Sequence, residues 1–184
     1  MTEVRELGLP GVLEITPRRI EDARGFFQES WSRGAFAAVG LDRDWVQDNH
    51  SLSRSVGTLR GLHYQTPPAA QAKLVRVTRG AAFDVVVDIR AGSPTRGRWT
   101  TVTLSAERGN QIFVPEGFAH GFLTLEPDTE VQYKVTAPYA PDCDRAIRWN
   151  DGEIGIEWPA VVDVDAMSAK DRAAPLLAEQ TTGF

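Results

Sequence analysis

The 184-residue chain, with 42% hydrophobic and 24% charged residues, has the composition of a folded globular protein, with enough length for the core of one domain spanning 1–184. A formal net charge of −5 supplies no general basic field, which argues against a nucleic-acid binder held through phosphates. Cys143 is the only cysteine, no stretch reaches the length of a membrane span, and residues 1–12 have no apolar run of the signal-peptide kind, so a cytoplasmic location is expected.

Along the chain, short β-branched runs alternate with Gly, Pro, Asn and Asp. Strands are predicted at 12–16, 25–30, 44–51, 58–65, 72–78, 82–89, 99–104, 111–115, 119–125 and 130–136. Turn signals separate them, among them Asp22-Ala-Arg-Gly25, Ala91-Gly-Ser-Pro94 and Arg108-Gly-Asn110. The most apolar run, 81–89, is interrupted by Asp84 and Asp88. Helical pattern is confined to 32–39 and 168–177. Evenly spaced strands without a βαβ rhythm indicate an all-β sandwich or closed barrel such as a jelly roll, with a few short helices.

Strand alternation then assigns side chains to faces. In Lys73-Leu-Val75-Arg-Val77 the odd positions share a face, so Lys73 lies beside two valines of core type. In Val131-Gln-Tyr133-Lys-Val135, Tyr133 shares its face with two valines. A core tyrosine with a satisfied hydroxyl is one account of Tyr133. Lysine is seldom buried without a partner or a task, so Lys73 is the more informative of the two.

Two predicted strands carry polar residues where a core strand would be apolar. They are Gln47-Asp-Asn-His-Ser51 and Thr58-Leu-Arg-Gly-Leu-His-Tyr-Gln65. A polar-lined strand inside a small barrel points to a ligand cavity. His63 shares a face with Gly61 and Gln65, and Gly61 would leave room for a ligand near the backbone. The spacing does not favour a metal: Gln65 stands where a His-x-His pair would need its second histidine, and His50 and His120 are far off in sequence. A His63/His120 pair with one carboxylate is the remaining metal arrangement. Further on, Pro115 and two glycines shape a turn leading to His120 and Phe122. In Ser168-Ala-Lys-Asp171, Ser168 reads as a helix N-cap with Asp171 at the third helical position, a placement that capping alone accounts for.

With these residues in place, the chain resembles the dTDP-4-dehydrorhamnose 3,5-epimerases and related sugar-nucleotide epimerases of the cupin jelly-roll fold. The matching strings are Asp22-Ala-Arg-Gly-Phe-Phe-Gln-Glu29, Gln47-Asp-Asn-His-Ser51, Leu59-Arg-Gly-Leu-His-Tyr-Gln65, Lys73-Leu-Val75 and Phe83-Asp-Val-Val-Val-Asp-Ile-Arg90. They continue with Ser93-Pro-Thr95, Pro115-Glu-Gly-Phe-Ala-His-Gly-Phe122, Trp149-Asn-Asp151, Ile156-Glu-Trp-Pro159 and Ser168-Ala-Lys-Asp171. The resemblance implies His63 as general base, oriented by Asp171, and Lys73 as the group steadying an enolate. It implies Tyr133 as the acid on the opposite face and His120 as a sugar contact. Arg24, Glu29, Gln47, Asn49 and Arg60 would hold the nucleotide diphosphate, with Phe26 and Tyr139 around the base and sugar and Trp31 as a further candidate. In this family Arg24 and its neighbours reach into a partner subunit's site, which implies a homodimer with shared active sites.

Chemistry makes those roles coherent. A keto group at C4 acidifies the hydrogens on C3 and C5, so epimerisation needs a base, an oxyanion stabiliser and an acid, and neither metal nor redox cofactor. An unperturbed imidazole, with pKa ~6.5, suits the base, and a carboxylate on its other nitrogen sets the tautomer. An unperturbed phenol has pKa ~10, and it delivers a proton to an enolate carbon if a nearby cation such as Lys73 lowers that value. The expectation is inversion at both C3 and C5 of a dTDP-4-keto-6-deoxyhexose. The alternatives are a single-carbon epimerase, a metal-dependent cupin enzyme and a sugar-binding cupin module.

Overall fold

The computed structural model describes residues 2–184. Strands β1 (Glu3–Glu6), β2 (Leu13–Thr16), β3 (Arg19–Asp22) and β4 (Gly25–Gln28) precede the short helix α1 (Arg33–Ala37). Next come β5 (Gln47–Ser53), β6 (Leu59–Gln65), β7 (Lys73–Arg79), β8 (Ala81–Asp88) and β9 (Trp99–Ser105). They are followed by β10 (Gln111–Val114), β11 (Phe118–Thr124), β12 (Thr129–Val135) and β13 (Asp144–Ala146). A single helical turn, α2 (Ala169–Arg172), and a 3-10 turn, Leu177–Glu179, close the chain. No helix among the described residues is long and apolar enough to cross a membrane.

The strands form a six-stranded sheet in the order β1-β2-β10-β7-β12-β5, a five-stranded sheet in the order β13-β6-β11-β8-β9, and a separate β3–β4 hairpin. Every strand pairing is antiparallel. Between the two large sheets lies the main core. Val75, Val77, Ile112 and Val131 come from one sheet and Ala82, Val86, Val102, Phe118 and Phe122 from the other. This is the cupin-like jelly roll. Strand β8 is apolar on both faces because the chain after Ala146 folds back over its outer side. There Ile147, Ile154 and Leu177 cover Val85, Val87 and Ile89. On the outer face of the six-stranded sheet, Phe36 and Leu41 cover Leu74 and Phe113.

All ten predicted strands are present, with ends moved by up to three residues. The three unpredicted strands have a common physical character. Strands β1 and β13 are sheet edges and β3 belongs to the separate two-stranded hairpin; their sequences, EVRE, DRA and RIED, carry the charges that protect exposed strand edges and hide alternation. The helix expected at 168–177 shrinks to four residues, capped as predicted by Ser168 Oγ accepting from the Asp171 N–H at 3.0 Å. Pro175 disfavours helical conformation in the residue before it and donates no backbone bond.

One irregularity shapes the site. Along β11, His120 pairs with His63 but Phe122 pairs with Arg60, so β6 carries an extra residue at this point. Gly61 sits there with φ +133, and a Cβ would come within 2.5 Å of Gly121 Cα. The missing side chain at Gly61 therefore accommodates the neighbouring strand's backbone rather than the ligand approach the sequence suggested. The bulge also re-aims β6. Strict alternation puts Arg60 and His63 on opposite faces, whereas both line one cavity.

Candidate active site

The cavity, of about 300 Å³, opens between the two sheets. Its walls differ in origin. His63 on β6 and His120 on β11 come from the five-stranded sheet, while Lys73 on β7, Tyr133 on β12 and Ser51 on β5 come from the six-stranded one. Arg60 lies at its rim, where its guanidinium donates to Ser53 Oγ at 3.0 Å and Leu52 O at 3.1 Å. The turn α2 adds Lys170 and Asp171.

His63 and Asp171, 108 residues apart, meet through Nε2 and Oδ1 at 2.5 Å. Asp171 is an N3 residue, yet its carboxylate does not reach back to cap the turn; it goes to the imidazole. Burial pushes its pKa up, but the His63 hydrogen bond and charge, with donors from Ser168 and Gly61, outweigh this and leave it below the ordinary value. A carboxylate that stays ionised holds an imidazole in one tautomer and stabilises its protonated form.

Lys73 is buried and donates from Nζ to the carbonyl of His63 at 3.1 Å. Desolvation, reinforced by Lys170 and opposed by Asp144 and Asp84, lowers its pKa from 10.5 to about 8. It is still mainly a cation at neutral pH, and a poorly hydrated one, which is the state that best stabilises an anion formed beside it.

Tyr133 comes from the opposite sheet to His63. It packs against the main core, and none of the described residues hydrogen-bonds its hydroxyl. Burial raises its pKa, with Arg60 opposing and Asp144 adding. The cation that opposes this rise is Arg60 rather than Lys73, and it does not prevail. The phenol keeps its proton at neutral pH.

A second histidine–carboxylate pair lies deeper. Asp84 accepts from, or is bridged by a proton to, His120 Nε2 at 2.9 and 3.0 Å. Both side chains are buried, and desolvation raises Asp84 against the opposing effects of His120 and Lys73. Asp84 was not among the residues singled out, although it stands with Ala82 and Val86 on the inward face of β8. An acid inside an apolar run was the available signal. Asp88 on the same strand has another task, since Arg90, Ser93 and Thr95 all donate to it and tie down the following loop.

The remaining expected residues divide into two groups. Gln47 and Asn49 face the cavity side of β5, Asn49 opposite Tyr133, and they bond each other at 2.7 Å. Tyr139 joins them by donating its N–H to Gln47 Oε1 at 3.0 Å. Its hydroxyl donates to Asp144 at 3.1 Å, and Asp144 also pairs with Lys170. These groups ring the mouth. Neither Lys170 nor Asp144 was anticipated, for neither lies in a strand-alternation pattern. Arg24, Phe26 and Glu29, by contrast, do not reach the cavity of their own chain. Arg24 is at the hairpin tip, paired among the described residues only with Asp22; Phe26 is 60% exposed beside Arg19; Glu29 accepts from Ser32 Oγ at 2.7 Å. Trp31 packs near Phe36 and below Lys134, outside the cavity.

His63 and His120 are cross-strand partners, but each ring's Nε2 is engaged by its own carboxylate. Among the described residues, no three His, Cys, Asp or Glu side chains converge as ligands of one ion.

A jelly roll with such a cavity belongs to the cupin-like proteins, and the comparisons with known proteins narrow the class to sugar-nucleotide epimerases. The family model described as dTDP-4-dehydrorhamnose 3,5-epimerase matches residues 6–179, and the chain belongs to that family. A Sinorhizobium fredii dTDP-4-dehydrorhamnose 3,5-epimerase is 50% identical over 184 residues, covering 98% of this chain and 92% of the relative. The Legionella pneumophila dTDP-6-deoxy-D-glucose-3,5-epimerase, solved with dTDP-4-keto-L-rhamnose, superposes with a TM-score of 0.91 at 41% identity, covering 97% of this chain and 94% of that one. A Streptomyces bikiniensis 3′-monoepimerase, solved with dTDP-quinovose, has a TM-score of 0.87 at 37% identity, over 94% of this chain and 86% of that one.

Proposed function

We propose that the protein inverts C3 and C5 of a dTDP-4-keto-6-deoxyhexose by proton removal and return through an enolate, without a cofactor. The observation that carries this reading is the placement of His63 and Tyr133 on opposite sheets, both facing one cavity. His63, oriented by Asp171, takes the proton from the carbon next to the keto group. The electrons of that C–H bond move onto the C4 oxygen, where the Lys73 ammonium stabilises the negative charge, an effect worth ~3–4 kcal/mol for one well-placed donor. Tyr133 gives its proton to the opposite face of the carbon, so configuration inverts, and solvent restores the phenol and the imidazole.

Arg60, Gln47, Asn49, Tyr139 and His120 receive the sugar and nucleotide at the mouth and wall of the cavity. The β3–β4 hairpin supplies Arg24 and Phe26, and the residue after it, Glu29, joins them, to the cavity of a second subunit in a homodimer. Its exposed Ile20, Phe26 and Phe27 support that reading, since an apolar hairpin surface is costly to leave in water. The chain works as one cytoplasmic domain. Inversion of a single carbon is a second reading, supported by the similarity to a 3′-monoepimerase.

Incubation with dTDP-4-keto-6-deoxyglucose in deuterated water tests both readings. Deuterium at C3 and C5 with inversion at each supports the proposal, deuterium and inversion at one carbon supports the second reading, and incorporation at neither refutes both.

A further inference from the structure

Asp171 rides on a four-residue turn, too short to hold its own conformation. What holds it leads back to the strand of the base. Leu62, the residue before His63, exchanges backbone hydrogen bonds with Ile147 at 2.9 and 3.2 Å. The next residues then seize the chain beyond Asp171. The Arg148 N–H donates to Pro175 O at 2.8 Å and its Nε to Ala174 O at 3.0 Å. Asp151, only 3% exposed, accepts from Leu177 N–H through Oδ2 at 2.8 Å and from Glu153 N–H through Oδ1 at 3.0 Å. His63 and Asp171 are thus suspended from the same short segment, 147–151. None of Trp149, Asn150 and Asp151 lines the cavity, so the reaction as described does not use them.

We infer that Asp151, with Arg148 beside it, is a positioning residue that sets the Asp171 carboxylate against His63. The inference rests on the His63–Asp171 pair being the proton-abstracting pair. With Asp151 neutralised, Leu177 loses its charged acceptor, segment 173–177 loosens, and the 2.5 Å contact is occupied for a smaller share of the time. Arg60, Gln47, Asn49 and His120 lie on strands outside this segment, so most of the loss falls on turnover rather than on binding.

The experiment measures kcat and KM for Asp151→Asn, Arg148→Ala and Asp171→Asn, and for each of the first two combined with Asp171→Asn. Asp151→Asn should lower kcat by ~10–100-fold, as disruption of groups orienting a working side chain typically does, with KM changed by less than ~3-fold. In the Asp171→Asn background the same substitution should cost less than ~2-fold, since partners in one network are not additive. Amide exchange of 168–177 should accelerate in Asp151→Asn. Wild-type kcat in folded Asp151→Asn, or an equal loss with and without Asp171, overturns the inference. If Asp151→Asn does not fold, Arg148→Ala decides by the same criteria. A rapid Asp171→Asn enzyme would instead refute the role proposed for Asp171 itself.

Discussion

Two histidines line the cavity from neighbouring strands, each paired with a carboxylate, and the two pairs are built differently. The His63 side chain is 34% exposed to the cavity, and its carboxylate comes from a distant turn and stays below the ordinary carboxylate pKa. His120 is 8% exposed, and Asp84, from the adjacent strand, is pushed upward by burial. An imidazole that exchanges protons with a substrate needs access and an ionised partner. A buried pair whose carboxylate is costly to ionise serves better as a fixed wall and a local source of field. The first pair is suited to moving protons, the second to shaping and charging the place where they move.

Replacing each histidine should expose the difference most strongly. His63→Asn should lower inversion by ~10³–10⁴-fold and abolish exchange of the C3 and C5 hydrogens with solvent. His120→Asn should lower both by only ~10–100-fold, with exchange and inversion falling together. Steady-state rates and deuterium incorporation measured on the two variants check this, and equal losses would erase the distinction.

The cation between the pairs gives the next effect. Lys73→Met should reduce kcat by ~10²–10³-fold, the loss typical of one oxyanion donor. The same substitution should stabilise the fold near neutral pH, since burial lowers the Lys73 pKa from 10.5 to about 8 and keeping its charge buried is costly. For the wild type the unfolded chain holds this proton up to higher pH than the folded one. The Lys73 contribution to stability therefore rises between pH about 8 and 10.5, while activity falls once pH passes about 8 and the cation is lost. Urea unfolding and kcat across that range test the two opposite slopes.

Asp84 supplies a smaller and more specific effect. Its charge helps Lys73 keep the proton. Asp84→Asn should therefore move the alkaline limb of kcat to lower pH and reduce kcat at pH 7 by ~3–10-fold. A limb that stays in place would detach Asp84 from Lys73 and leave it only its bond to His120.

These contrasts also show how far the sequence could be read. Alternation alone was enough to turn Lys73 and Tyr133 inward, because β7 and β12 are regular where those residues sit. It could not join Arg60 to His63, because the extra residue in β6 is defined by its pairing with β11 rather than by its own composition. Ser168 was legible as a cap from local chemistry. The Asp171 contact with His63 spans 108 residues and leaves no periodic trace, so only the family resemblance pointed to it. Asp84 was visible as a charge in an apolar run, but its task depends on two neighbouring strands. Arg24 and Phe26, on the β3–β4 hairpin, and Glu29 just after it lie outside the cavity of their own chain, so alternation in the two large sheets could not assign them to it.

The central claim is that protons leave toward one sheet and arrive from the other. The direct test is Tyr133→Phe incubated with dTDP-4-keto-6-deoxyglucose in deuterated water, scored for deuterium and for configuration at each carbon. The substitution removes a hydroxyl that has no partner among the described residues, so the fold should be little affected. His63 should still remove and return protons on its own face, so deuterium should enter with configuration retained. Inversion should fall by at least ~10²-fold, the lower range for loss of a general acid. Inversion at the normal rate, or equal loss of exchange and inversion in a folded variant, would contradict the two-sided account.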